Sequence, residues 1–226
     1  MQKTLRPLVA EFIGVFLFIF FASGAIILNT YRDGSVGLVG IALAQGLSLA
    51  IVVTGTLPLS GGHINPAVTI GLWSVGRIGW KQALLYVVAQ LLGAVVAALA
   101  LKGLFPEGAG HVAQLGVPRL ATDTTFTQGT LVEAVLTFFL AFAVMATVVD
   151  GAGTKVAGWA VGLTVAAGVV TAGGITGAAM NPARAFGPAL VGNAWLSQLV
   201  YWIGPVLGAV VAMQVYERLF LKRDAA

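Results

Sequence analysis

The chain has 226 residues, of which 58% are hydrophobic and 9% charged, with a mean hydropathy of +0.96; these values exclude a soluble globular domain and point to a polytopic membrane protein. It contains no cysteine, which removes disulfides, thiolate chemistry and cysteine metal sites. The net charge of +4 comes from basic residues scattered at segment ends, a distribution that argues against a nucleic-acid partner.

Apolar runs of spanning length fall near 8–28, 36–57, 80–101, 127–149, 156–173 and 195–219, predicting six transmembrane helices. Lys3 and Arg6 ahead of the first run, with Ala22-Ser-Gly-Ala25 near its end, could mimic a cleaved leader. The internal repeat described below argues that this run is a retained helix.

Two shorter apolar runs, 65–75 and 181–191, each begin with Asn-Pro-Ala after a Gly-rich turn: Asn65, Pro66 and Ala67 in one, Asn181, Pro182 and Ala183 in the other. Asn suits a helix N-cap, and Pro suits the first helical position, where a missing N–H costs nothing. Roughly ten residues at ~1.5 Å rise reach about 15 Å, half of a ~30 Å hydrocarbon core. Two half-helices are therefore expected to meet, N-terminus to N-terminus, near the membrane midplane.

The second half of the chain restates the first at an offset of about 115 to 122 residues. Glu11 and its Phe-rich run are echoed by Glu133 and another, Ala44-Gln-Gly46 by Ala160-Val-Gly162, and Leu92-Gly-Ala-Val-Val-Ala97 recurs unchanged as Leu207-Gly-Ala-Val-Val-Ala212. Three full crossings per copy force the copies into opposite orientations, an inverted-topology repeat. One channel domain is expected over 1–226, with repeat one at about 1–105, an external loop at about 102–126 and repeat two at about 127–226. Small residues spaced by four, Gly158 with Gly162 and Gly93 with Ala97, mark close helix packing.

Basic residues set the orientation. With both termini cytoplasmic, the inner segments carry Lys3, Arg6, Arg77, Lys81, Lys155, Arg218, Lys222 and Arg223, against Arg32, Lys102 and Arg119 outside. The long external loop, rich in Gly, Pro and Thr, reads as an irregular connection to which the sequence gives no clear chemistry.

Three ionisable residues fall deep in the apolar segments: Glu11, Glu133 and Arg184. Each costs at least about 2.5–3.5 kcal/mol at the bilayer centre unless it finds a partner or a watery cavity. The glutamates occupy equivalent repeat positions and are assigned the structural task of satisfying the Gly-rich turns. A proton relay would need further titratable groups that the chain lacks. Arg184 faces Val68 across the repeat, so symmetry does not demand it; it reads as a pore-lining cation that donates to neutral solutes and repels cations. With each Asn oxygen tied to its own helix, both amide NH2 groups are expected to point into the cavity and fix a water's orientation, which prevents proton passage.

Through Ala10-Glu11, Ser60-Gly-Gly-His-Ile-Asn-Pro-Ala-Val68, Gln90, Glu133 and Met180-Asn-Pro-Ala-Arg-Ala-Phe-Gly-Pro188, the chain resembles the aquaporins, or major intrinsic proteins, along nearly its whole length. The resemblance implies an all-α integral membrane fold of six transmembrane helices plus two half-helices in a right-handed bundle, and a homotetramer with one pore per subunit. It also implies a selectivity filter at Gln45, Val169, Ala178 and Arg184, with His63 at the inner vestibule. Water-selective members usually carry Phe and His where this chain has Gln45 and Val169, which suggests a wider constriction. Ala185, Ala189 and Tyr201-Trp202 instead resemble the water-channel pattern. Short termini and compact loops suit a prokaryotic-type member in a plasma or inner cell membrane.

The expected function is a passive channel for water and small uncharged solutes such as glycerol, urea or ammonia, embedded in the lipid bilayer, with no catalysis, cofactor or metal. A strictly water-selective pore and an ion-coupled secondary transporter remain the alternatives.

Overall fold

The computed structural model describes residues 2–106, 108–150 and 156–221. Nine α-helices follow one another among them: α1 (Gln2–Tyr31), α2 (Gly37–Ser60), α3 (Pro66–Ser74), α4 (Trp80–Leu104), α5 (Ala109–Val112), α6 (Phe126–Val144), α7 (Ala157–Thr176), α8 (Pro182–Gly192) and α9 (Val200–Leu219). Helices α1, α2, α4, α6 with its π-helical extension Met145–Val149, α7 and α9 are long and apolar enough to cross a membrane. The chain is an all-helical, multi-pass membrane protein. Lys155, Lys222 and Arg223, counted among the inner basic residues, lie outside the described residues.

The half-helices are nine and eleven residues long, and each opens on its proline. Their preceding full helices stop the same way. Gly61 and Gly177 take left-handed conformations at φ 88° and 81° and return their N–H groups to Leu57 and Gly173, a C-cap that a side chain would strain.

Packing follows the repeat. Helix α1 lies against α2 and α4, and α6 lies against α7 and α9 in the same way; α2 crosses α7 between the halves, while α3 packs on α9 and α8 on α4. Without a hydrophobic force between helices in lipid, close approach depends on small residues. At the α2/α7 crossing, a Cβ on Gly46 would come within 2.7 Å of the Gly162 carbonyl, and one on Gly162 would strike Gly46 in return. Gly93 on the Phe12 backbone and Gly208 on the Ala134 backbone are a second equivalent pair. Large apolar side chains such as Leu47, Leu92 and Leu207 stay exposed on the outside of the bundle, where lipid is their solvent.

Two expectations are corrected. The last spanning helix begins at Val200 rather than 195, because the chain turns through 195–199 first. The 102–126 connection is not merely irregular: it holds α5 and a 3-10 turn (Gln114–Gly116), anchored by Ala109, Ala113 and Leu115 packed against Ile27 and Leu101.

Replacing Gly162 by Val should drive α2 and α7 apart and cost about 1–3 kcal/mol. Gly55→Ala, at a position with no neighbour within 4 Å, should stay within about 0.5 kcal/mol. Thermal unfolding of both variants in detergent checks the contrast.

Candidate functional site

The site is built from the two turns that precede the half-helices. Each turn leaves backbone N–H groups at membrane depth, where an unsatisfied donor is costly. Glu11, fully buried on α1, takes them up: Oε1 accepts from the Ser60 hydroxyl (2.6 Å) and His63 N–H (3.0 Å), and Oε2 from Ile64 N–H (2.7 Å) and Gln90 Nε2 (2.7 Å). Glu133, fully buried on α6, repeats the pattern on the Thr176 hydroxyl (2.7 Å), Ala179 N–H (2.9 Å) and Met180 N–H (2.7 Å). Neither carboxylate has a salt-bridge partner among the described residues. Hydrogen bonds stabilise both, and Glu133 is also attracted by Arg184 through space.

Ile64 and Met180, the residues ahead of the two asparagines, are both left-handed, at φ 53° and 51°. Such a conformation costs a bulky residue on the order of 1–3 kcal/mol, and here the carboxylate bond to its N–H holds it. The same turn presents the carbonyl to the opposite half. Asn65 Nδ2 donates to Met180 O at 2.7 Å, and Asn181 Nδ2 donates to Ile64 O at 2.9 Å.

The asparagine oxygens cap their own helices, Asn65 on Ala67 N–H (2.8 Å) and Asn181 on Ala183 N–H (3.0 Å) and Arg184 N–H (3.4 Å). This corrects the expectation that both amide NH2 groups are wholly free. One hydrogen of each is committed across the pseudo-two-fold axis, and one remains for the cavity. That central cavity is about 10 Å³, lined by Asn65, Asn181, His63, Val68 and Val165 among others, which is the room taken by one water-sized sphere.

Beyond it, towards the end of the bundle that carries α5, lies a cavity of about 320 Å³ whose lining includes Gln45, Val169, Arg184 and Arg119. Arg184 is fully buried at the start of α8; its Nη1 donates to Gly116 O at 2.8 Å, while Nε and Nη2 have no partner. Both polar atoms of the Gln45 amide are likewise buried and unpartnered. Ala178 is also fully buried, in the turn at φ 44° with its N–H on Thr176, and is not part of that cavity's lining. Three of the four expected filter residues thus converge on one cavity.

His63 sits beneath Asn65 on the other side of the centre. The Thr69 hydroxyl lies 3.0 Å from Asn65 O and 3.1 Å from His63 Nδ1, and which group donates in the His63 contact depends on the imidazole tautomer. Tyr86 stacks edge-on against the imidazole at 5.0 Å.

Sequence reading overlooked Tyr86 and Gly116, and singled out Tyr201 only as part of a water-channel pattern. Tyr86 and Tyr201 donate to the carbonyls of Ser60 (2.9 Å) and Thr176 (2.8 Å), at the ends of α2 and α7. Their repeat-equivalent spacing was a usable signal. Gly116 was not legible, since a carbonyl acceptor has no residue signature.

The family model described as Major intrinsic protein matches residues 1–216. The chain is 46% identical over 229 residues to "Aquaporin TIP4-4" of Zea mays, covering 96% of this chain and 87% of that protein. It is 40% identical over 235 residues to "Probable aquaporin TIP3-2" of Arabidopsis thaliana, covering 96% and 85%. The X-ray structure of the aquaglyceroporin from Plasmodium falciparum matches with a TM-score of 0.85 at 27% identity, over 96% of both chains.

Glu133→Gln keeps the shape but sets an amide donor against turn donors. It should destabilise the fold by at least about 2 kcal/mol, read as a lower melting temperature in detergent, whereas an unchanged melting temperature would remove the turn-holding role.

Proposed function

The chain belongs to the major intrinsic protein family, whose members are channels and not enzymes, and from that premise we propose that it conducts water together with small uncharged solutes such as glycerol, urea or ammonia. The observation that carries the reading is the set of unpartnered donors and acceptors on Gln45 and Arg184 in the wide cavity. A polyol hydroxyl or a urea carbonyl can use them, and Val169 leaves that wall without the bulk of an imidazole.

Water then passes in single file through the central cavity. The free hydrogens of Asn65 and Asn181, with the two positive helix ends, turn its oxygen inward from both sides. A water held so has no donor–acceptor chain through it, and the same field opposes cations. Glu11 and Glu133 act only through the turns they hold. His63 lines the inner side of that cavity.

The whole chain forms one channel domain made of the two repeats. The basic residues of the inner segments support both termini facing the cytoplasm. The plasma or inner cell membrane expected from the sequence finds no support in the TIP names of the relatives. Family resemblance supports a homotetramer, for which the apolar surface around Ile13, Leu59, Val135 and Leu163 offers contact faces.

A strictly water-selective pore is the second reading, favoured by the size of the central cavity. Stopped-flow light scattering on proteoliposomes decides. Sucrose should give rapid shrinkage, and glycerol or urea should give shrinkage followed by re-swelling. Gln45→Phe/Val169→His should slow that re-swelling by at least about tenfold, or ~1.4 kcal/mol in barrier, while water flow persists. Fast water flow without re-swelling in the native chain would establish the strict pore.

A further inference from the structure

The cavity at the α5 end is lined by two arginines, Arg184 and Arg119, and by no acidic residue among the described residues. Arg119 is exposed, follows Pro118 in the long connection, and makes no ion pair among the described residues. Arg184 spends Nη1 on Gly116 O. Its Nε and Nη2 remain buried and unpartnered.

Those two N–H groups form one edge of the guanidinium, a pair of parallel donors spaced to meet two oxygens of a planar oxyanion. Gln45 Nε2 adds a third buried, unpartnered donor on the same cavity, and Ile41, Val117 and Val169 make much of the remaining wall apolar. An apolar wall leaves charge poorly screened; Glu133 attracts Arg184 through space but does not line the cavity, so the two arginines favour an anion there. A neutral solute can use the donors of Arg184 and Gln45 but gains little from Arg119. A monatomic halide meets both N–H groups with one atom, so its two bonds are bent where those to two oxygens are straight.

We propose that this mouth is a binding site for a planar monovalent oxyanion, a carboxylate or nitrate, which seats on the Nε/Nη2 edge of Arg184 with Arg119 as the second positive charge and blocks the pore while bound. The proposal rests on the reading of this cavity as the entrance of the pore. While bound it occupies the Arg184 edge and the Gln45 donor that a passing solute must use, so flow waits on its release.

The test uses proteoliposomes with equal sodium nitrate, or equal sodium chloride, on both sides, so that the direction of insertion does not matter; a sucrose gradient then drives shrinkage. Nitrate should slow water flow several-fold and saturably relative to chloride at the same ionic strength. Arg119→Gln should raise the half-blocking nitrate concentration about threefold, the scale of one partly solvated charge contact, with block expressed against the variant's own rate in chloride. Arg184→Lys, which keeps the charge and removes the edge, should abolish the preference for nitrate over chloride. As a readout independent of conduction, nitrate should raise the melting temperature of the detergent-solubilised native chain relative to Arg119→Gln, and chloride should not. Equal flow in nitrate and chloride, or block untouched by Arg119→Gln, overturns the anion site and leaves the channel standing. No conduction in chloride overturns the channel reading instead, and the melting comparison then decides whether the anion site exists.

Discussion

Two turns of irregular backbone stand at membrane depth, and the structure depends on the carboxylates that satisfy them. Lipid offers no hydrogen bonds, so the N–H groups of His63, Ile64, Ala179 and Met180 need acceptors from within the protein. Glu11 and Glu133 supply them, and each also takes a hydroxyl from the end of the preceding helix. A charge that would be costly in hydrocarbon is thereby stabilised, and a turn that would otherwise collapse is held open. Tyr86 and Tyr201 take up the neighbouring carbonyls. Removing one carboxylate would therefore expose several donors together.

Holding the turns in this way aims the two Asn-Pro-Ala segments at each other. Left-handed Ile64 and Met180 offer their carbonyls to the opposite asparagine, so the half-helices are cross-linked at their N-termini by a reciprocal pair of hydrogen bonds. Each amide then serves three ends: it caps its own helix, binds the other half, and keeps one hydrogen for the cavity. The centre is consequently rigid and small. Glycines at the α2/α7 crossing let the halves approach closely enough for this reach, which links the packing of the bundle to the chemistry at its middle.

The repeats are symmetric where they support the turns and asymmetric where they meet the cavities. Gln90 and Thr69 reinforce the first turn and orient His63, whereas the second half has Pro205 and Ala185 at the corresponding places. Arg184 stands where the first half has Val68, and the connection between the repeats bends in to give it Gly116. The two sides of the centre therefore differ chemically: an imidazole on one, guanidinium and amide groups on the other.

Much of this was legible from the amino-acid sequence. Hydropathy marked the six spanning segments, the offset between the halves marked inverted repeats, and Asn-Pro after a Gly-rich turn marked two short capped helices, because each of these is a local rule of backbone geometry or solvation. Glu11, Glu133 and Arg184 stood out for the cost of burying charge. What the sequence left open were the directions of hydrogen bonds between segments far apart in the chain. Whether an asparagine amide is free or shared, whether Ala178 reaches the same cavity as Gln45, and which carbonyl receives Arg184 depend on where separate turns arrive in space. Composition and spacing say which groups need partners; only the packed helices decide which partners they meet, since a carbonyl or an amide hydrogen is available on almost every residue and proximity alone selects among them.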